Sequence, residues 1–101
     1  MDFRIIEDDE VVQVFLTGRL DFTCNPVFER LLDEIAALRG RKIVFDMSMV
    51  MHVDSIGLGL LHVAREDLAS ANSELILASP GPSVVRMLHL TDAATCFEIR
   101  T

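Results

Sequence analysis

The sequence predicts an α/β fold, in which a mixed central β-sheet has helices packed on it. Short apolar stretches alternate along the chain with segments whose apolar residues recur at helical spacing. Parallel strands need long connections, so strands that alternate with helices are typical of this class. The 101 residues contain no linker, repeat or low-complexity segment, and we expect a single domain over residues 1–101.

The first elements are predicted to be a β-hairpin. Residues 3–6 and 11–16 have the composition of strands, and the acidic residues 7–10 between them suit a turn. Gly18 is expected to break the second strand.

The first helix is predicted to follow Asn25 and Pro26, an N-cap residue and a first-turn proline. Gly40 suits the C-terminal end of that helix. Apolar residues between them recur at helical spacing, namely Phe28, Leu31, Leu32, Ile35 and Leu38.

The second half of the chain is predicted to continue the alternation. Residues 42–46 form a strand whose continuous Ile-Val-Phe core predicts burial on both faces. A helix is expected over residues 55–70 and a strand over 74–78. A turn at residues 79–82 then leads into a short helix ending at Leu90, and the last strand lies near residues 96–99.

Composition excludes several classes of function. The 9 basic and 16 acidic residues give a net charge of −7, which repels phosphate backbones, so we expect no nucleic-acid binding. No apolar run approaches a membrane span, so no membrane insertion is expected. The first residues lack the apolar core of a signal peptide, which predicts a cytoplasmic protein.

The cysteines and histidines do not predict a metal or cofactor site. Cys24 and Cys96 lack a C-x-x-C spacing and are expected to be reduced packing residues. The three histidines share no metal-ligand spacing, namely His52, His62 and His89.

The most informative segment is residues 51–61, where an apolar run ends in Asp54 and Ser55 and a helical pattern begins. Asp54 suits an N-cap, which places Ser55 in the first turn. Free N–H groups and the helix dipole there would stabilise a phosphate on Ser55. Gly57 and Gly59 remove side chains beyond the serine, so a large partner could approach closely. These features indicate a switch, and a plain capping pair is the alternative.

An enzymatic role for Ser55 is the less favoured interpretation. His52 lies three residues away across a strand-to-helix junction, which is a poor arrangement for a proton relay. The sequence shows no G-x-S-x-G elbow and no acidic partner by spacing, so we expect no enzyme activity. Gly57 and Gly59 do not begin a dinucleotide fingerprint either, because His62 occupies the place of the third glycine.

The motif helix is predicted to have two distinct stripes. The stripe expected to pack on the sheet consists of Ile56, Leu60, Leu61, Ala64 and Leu68. A second stripe contains Leu58, His62 and Arg65, and Leu58 is predicted to lie near the surface. This second stripe is either a partner-docking surface extending from Ser55 or a surface with one unremarkable exposed leucine.

Together these segments resemble a known family. Following residues 43–46, the run Asp54-Ser55-Ile56-Gly57-Leu58-Gly59 resembles the phosphorylation-site signature of the STAS-domain anti-sigma factor antagonists. Residues 16–21 resemble the family's first conserved turn, residues 82–91 its third helix and residues 96–99 its last strand. The resemblance extends from about Phe3 to Ile99.

The resemblance implies a STAS-like fold and a partner-switching function. A serine kinase that is also an anti-sigma factor would phosphorylate Ser55 with its own bound ATP, and a phosphatase would reverse the modification. The unphosphorylated form would bind that kinase. Asp21 would lie near the serine, although a turn-forming role explains it equally well. Ile56 stands where many members have a second hydroxyl residue.

Two other functions remain open from the sequence. One is a STAS interaction subunit that is never phosphorylated and serves a transporter or a chemotaxis or flagellar complex. The other is a hydrolase that uses Ser55.

Overall fold

Five strands form one mixed sheet in the order of the chain, β1 to β5. The structure, a computed structural model, describes residues 1–38 and 40–101. Two short 3₁₀ turns occupy Phe22–Cys24 and Ala93–Thr95. The strands and helices are β1 (Asp2–Glu7), β2 (Val11–Leu20), α1 (Asn25–Ala36), β3 (Lys42–Val53), α2 (Ser55–Ser70), β4 (Glu74–Ala78), α3 (Pro82–Leu90) and β5 (Glu98–Arg100). The predicted α/β fold with a mixed sheet is confirmed.

The connections place the three helices on one face of the sheet. β1 pairs with β2 in antiparallel fashion, whereas β2 to β5 are parallel neighbours in sequence order. Right-handed crossovers that always advance in one direction leave every helix on the same side. The core lies between that face and the helices. Its fully buried large residues include Leu16, Phe28, Leu31, Phe45, Leu61 and Leu77.

The opposite face of the sheet carries no helix among the described residues, which corrects the prediction for β3. Ile43 and Phe45 are fully buried, but Val44 between them is only partly buried. The one-sided winding of the crossovers explains the difference, since a parallel strand is buried on both faces only when helices cover both. On this open face, the guanidinium of Arg4 lies 5.5 Å from the centre of the Phe15 ring.

Three predicted boundaries also differ. β2 continues to Leu20, because Gly18 adopts a φ of +101° within the strand and keeps its pairing with Val50. α1 begins at Asn25 itself, with Cys24 as its N-cap, and ends at Ala36. Gly40, with a φ of +77°, therefore belongs to the turn before β3 and not to the end of the helix.

β3 projects beyond its neighbour β4. Pairing with β4 ends at Asp46, whereas pairing with β2 continues to Val53. Two register shifts in the pairing with β2 produce β-bulges in this projecting part of β3. As a result Met49 and Met51 both point outward and are 63% and 75% exposed.

Among the described residues, no helix combines the length and the apolar character needed to cross a bilayer.

Candidate functional site

The junction between β3 and α2 is held by backbone pairing to the end of β2. The Asp54 N–H donates to the carbonyl of Leu20 at 3.3 Å. Asp54 has extended backbone angles, and its Oδ1 accepts the N–H of Gly57 at 2.8 Å. The Leu58 N–H donates to the Asp54 carbonyl at 2.8 Å, which closes the first turn. The predicted N-cap role of Asp54 is thus confirmed.

Ser55 is the first residue of α2 and is exposed. Across the described part of the chain, its hydroxyl takes part in no hydrogen bond. The N–H groups of Ser55 and Ile56 lie in the first turn, where no preceding carbonyl is available to them. The Asp54 carboxylate already accepts the Gly57 N–H. The N–H groups of Ser55 and Ile56, together with the helix dipole, therefore remain available to an anion on Ser55.

Asp21 lies beside this junction, and hydrogen bonds within its own turn occupy its carboxylate. It is buried, caps the 3₁₀ turn, and accepts bonds from the hydroxyl and the N–H of Thr23. The Arg19 Nε lies 3.2 Å from its other oxygen. These bonds, first that from the Thr23 hydroxyl, hold the pKa of Asp21 below its ordinary value of 3.8. The turn-forming role is therefore present, one residue from the Leu20 carbonyl that holds Asp54.

The two glycines of the motif have different environments. A Cβ on Gly57 would overlap the Leu20 carbonyl oxygen and lie 2.6 Å from the carbonyl carbon. Gly57 thus permits the close contact between α2 and β2 and is not open to a partner. A Cβ on Gly59 would meet nothing within 4 Å. Of the two glycines expected to admit a partner, Gly59 alone faces open space.

The predicted docking stripe of α2 turns toward the protein's own C-terminal elements. Leu58 is only 8% exposed and belongs to the core, so its predicted surface position is wrong. The His62 ring lies 4.9 Å from the Phe97 ring, and Arg65 lines a shallow cleft with Cys96. The physical reason is the contact at Gly57, which sets the rotation of the helix about its axis.

The same rotation places Ile56 outside. Ile56 is 52% exposed and does not share the buried stripe that the sequence assigned to it. The buried residues of α2 are Gly57, Leu58, Leu61, Ala64 and Leu68. Val63, which the sequence reasoning overlooked, is 46% exposed. Its spacing of eight residues from Ser55 was the available signal, because i, i+4 and i+8 lie along one ridge of a helix.

Exposed apolar side chains gather at the end of the sheet where Ser55 lies. Of the large apolar residues exposed in the described chain, four belong to segments that meet at this end: Phe22, Met49, Met51 and Ile56. Leu20, which pairs with Val53 there, connects these segments. Such a concentration is typical of surfaces that contact another macromolecule.

The two cysteines lie in contrasting surroundings. Cys24 is fully buried, and its thiol donates to the Asp21 carbonyl at 2.9 Å. Burial raises the pKa of this thiol. Cys96 is exposed, and neither cysteine is in a disulfide. Within residues 1–38 and 40–101, no group of three or more His, Cys, Asp or Glu side chains could hold a metal ion.

Comparison with known proteins agrees with this architecture. A family model described as the STAS domain matches residues 2–101. An anti-sigma-B factor antagonist of Listeria monocytogenes is 26% identical over 93 residues, covering 92% of this chain and 82% of that protein. A STAS-domain containing protein of Pseudomonas aeruginosa is 26% identical over 92 residues, covering 91% of this chain and 90% of the relative.

A solved structure agrees as well. The crystal structure of an anti-sigma factor antagonist from Mycobacterium paratuberculosis superposes with a TM-score of 0.84 at 26% identity, covering 97% of this chain and 83% of the other. With the five-stranded sheet, the capped junction at Asp54 and a family match over nearly every residue, this chain belongs to the STAS domain family.

Proposed function

We propose that this protein is a cytoplasmic regulator similar to the anti-sigma factor antagonists. It binds a protein partner and releases that partner when Ser55 is phosphorylated. One observation carries the proposal: the Ser55 hydroxyl is exposed and free of internal bonds at a helix start whose first donors are unused. Relatives that bear the name anti-sigma factor antagonist support the choice of partner class.

In the proposed switch, a phosphate on Ser55 changes binding without refolding the domain. Phosphorylation adds about −1.5 to −2 charges near neutral pH, and the start of α2 stabilises negative charge. The Asp54 carboxylate is held by Gly57 and keeps the first turn closed. The phosphate would nevertheless have to lose water against a docked partner, which opposes association unless the partner supplies a cation.

For this protein we propose the partner-switching cycle that its resemblance to the anti-sigma factor antagonists implies. The unphosphorylated form binds a serine kinase that is also an anti-sigma factor, and thereby frees the sigma factor. The kinase transfers a phosphoryl group from its own bound ATP to Ser55, and a phosphatase restores the binding form.

Binding, and not catalysis, is the activity that we propose for the chain itself. His52, the nearest histidine in sequence, is paired across the sheet with Arg19 on the strand side of the junction. Ser55 lies beyond the cap on α2, and no hydrogen bond joins the two side chains in the part of the chain that the structure describes. A nucleophile needs a base within hydrogen-bond reach.

The test compares three variants as bait for the partner. Ser55→Ala should retain the kinase and resist phosphorylation, whereas Ser55→Asp should bind at least tenfold more weakly. Ser83→Asp is the matched control, because Ser83 is an exposed serine in the first turn of α3. It should bind like the unmodified chain.

Partner affinities are measured by calorimetry, and the phosphorylated residue is mapped by mass spectrometry. Phosphate on a residue other than Ser55 contradicts the mechanism. Equal affinity of the Ser55 variants for a stable partner would favour the interaction subunit that is never phosphorylated.

A further inference from the structure

A small cleft lies between the last turns of α1 and α2, at the end of the sheet opposite to Ser55. Both helices connect parallel strands, so they run in the same direction and end side by side. The cleft encloses about 240 Å³ and is lined by residues from the segments 32–36 and 67–71. With a rise of about 1.5 Å per residue along α2, it lies roughly 20 Å from the serine. The cleft is therefore a separate feature from the switch.

The cleft has an apolar floor and a polar edge. Ile35 and Leu68 line it and are 1% and 2% exposed, and Leu32 is partly buried beside them. Asp67 and Ser70 line it as well and are exposed. An apolar wall with a few polar groups is typical of sites for small molecules. Its volume is below the roughly 300 Å³ at which sites for drug-sized ligands begin, so a matching ligand has few heavy atoms.

The polar groups at the edge are suited to accept hydrogen bonds. The Ser70 hydroxyl donates to the Glu66 carbonyl at 3.1 Å, which leaves its lone pairs for a ligand. A carboxylate only accepts, and within residues 1–38 and 40–101 that of Asp67 takes part in no hydrogen bond or ion pair. The edge therefore favours a ligand that donates hydrogen bonds and carries positive charge.

The helix dipoles strengthen this preference. The carbonyl ends of α1 and α2 meet at the cleft, and neither helix, each described in full, has a basic residue in its last turn. Asp67 lies in the last turn of α2, where the negative end of the dipole disfavours a carboxylate. A cation in the cleft would relieve this repulsion. The net charge of −7 also favours the approach of a cation.

We propose that this cleft binds a small primary alkylammonium ion, with the ammonium group against Asp67 and Ser70 and the alkyl chain against Ile35 and Leu68. The ammonium group brings three donors to the acceptors at the edge. The alkyl chain loses contact with water on the apolar floor, which favours binding. The proposed site is independent of the Ser55 switch.

The probe is hexylamine, which like the lysine side chain is protonated at neutral pH. In an amide NMR titration of isotopically labelled protein, it should shift the signals of residues 32–36 and 67–71. Hexanol has the same chain without the charge and should bind about fivefold more weakly or less. Hexanoate should not bind. Equal affinity for hexylamine and hexanol, or shifts confined to other residues, would overturn the proposal.

Matched variants test the role of the carboxylate. Asp67→Asn should weaken hexylamine binding about fivefold or more and leave hexanol binding unchanged. Asp33→Asn makes the same change in net charge at an exposed residue of α1 that the described lining of the cleft does not include. It should bind hexylamine like the unmodified chain. Equal loss in both variants would mean that net charge alone, and not this cleft, attracts the amine.

A second pair of variants tests the position of the ligand. Ala36→Leu adds a side chain to an exposed lining residue and should abolish the binding of hexylamine and hexanol alike. Ala69→Leu makes the same change at an exposed residue of α2 that lines a different cleft, and it should not weaken binding. The amide spectrum of each variant shows that it is folded. Full affinity in folded Ala36→Leu would contradict the assigned site, and if that variant does not fold, the comparison of Asp67→Asn with Asp33→Asn decides.

Discussion

At the residue scale, Leu58 shows how burial decides a role. Its side chain is in the core, although the sequence predicted a position near the surface. Leu58→Ala should destabilise the fold by about 2–4 kcal/mol, through lost burial and the cavity left behind. Val63→Ala, at an exposed site on the same helix, should change stability by less than about 0.5 kcal/mol. Urea unfolding of both variants measures the difference, and equal unfolding midpoints would contradict the burial of Leu58.

Asp21 makes stability depend on pH in the acidic range. Its pKa is lowered in the folded state by the bonds from Thr23 and by Arg19. The stabilising contribution is therefore complete above the unfolded value near 3.8 and is lost as the pH falls through the lower, folded value. Asp21→Asn should flatten the pH dependence of stability below about pH 4. Thermal melts of both proteins between neutral and strongly acidic pH measure the effect, and parallel curves would contradict it.

The two thiols should differ in reactivity. Cys96 is exposed, whereas Cys24 is buried, donates to the Asp21 carbonyl and has a raised pKa. A thiol reagent should label Cys96 within minutes and Cys24 only after denaturant is added. Labelling of Cys24 at the same rate in the native protein would show that the turn before α1 opens readily.

At the scale of elements, the start of α2 depends on one side-chain cap. Asp54 joins β3 to α2 by accepting from Gly57, and its N–H holds Leu20 on the neighbouring strand. Asp54→Ala should cost about 1 kcal/mol, whereas Asp54→Asn should cost less because the amide oxygen can still cap. Calorimetric melting of the two variants distinguishes them. A larger loss with asparagine would mean that the charge, and not the cap, is important.

The elements also show what could be predicted from sequence. The limits of α2 were predictable, because Asp54 caps it and its apolar residues repeat at helical spacing. The face that α2 buries was not, since the closest contact is made by Gly57, which hydropathy does not mark as a core residue. The full length of β3 could not be predicted for a related reason. Its bulges break the alternation of inward and outward residues, so that the buried positions Met47, Val50 and Val53 are three residues apart.

At the scale of the whole molecule, the parallel strands β2 and β3 deliver Asp21, Ser55 and the exposed apolar residues to the same end of the sheet. That convergence follows from the order of the strands and could be anticipated once the alternation of strands and helices was recognised. The identity of the outward-facing residues could not be predicted from the sequence, because it depends on the rotation of α2 and on the bulges of β3.

The architecture predicts that phosphorylation of Ser55 would leave the fold intact. Phosphate on Ser55 would lie at the start of α2, outside the core formed by Phe28, Phe45 and Leu61. Amide NMR spectra of the phosphorylated protein should therefore change around the junction and remain unchanged in β1, β4 and β5. Widespread shifts across the sheet would indicate refolding and would contradict a switch that acts at the surface.

The projecting part of β3 has a chemical consequence. Met47 is fully buried, whereas Met49 and Met51, two and four residues later, are largely exposed. Peroxide converts an accessible thioether to a sulfoxide, which is polar and can be reversed by methionine sulfoxide reductases. Mild peroxide should add one oxygen to Met49 and to Met51 while sparing Met47, as peptide mass spectrometry would show. Since Met49 and Met51 lie at the end of the sheet that carries Ser55, their oxidation would place polar sulfoxides on the surface beside Ser55.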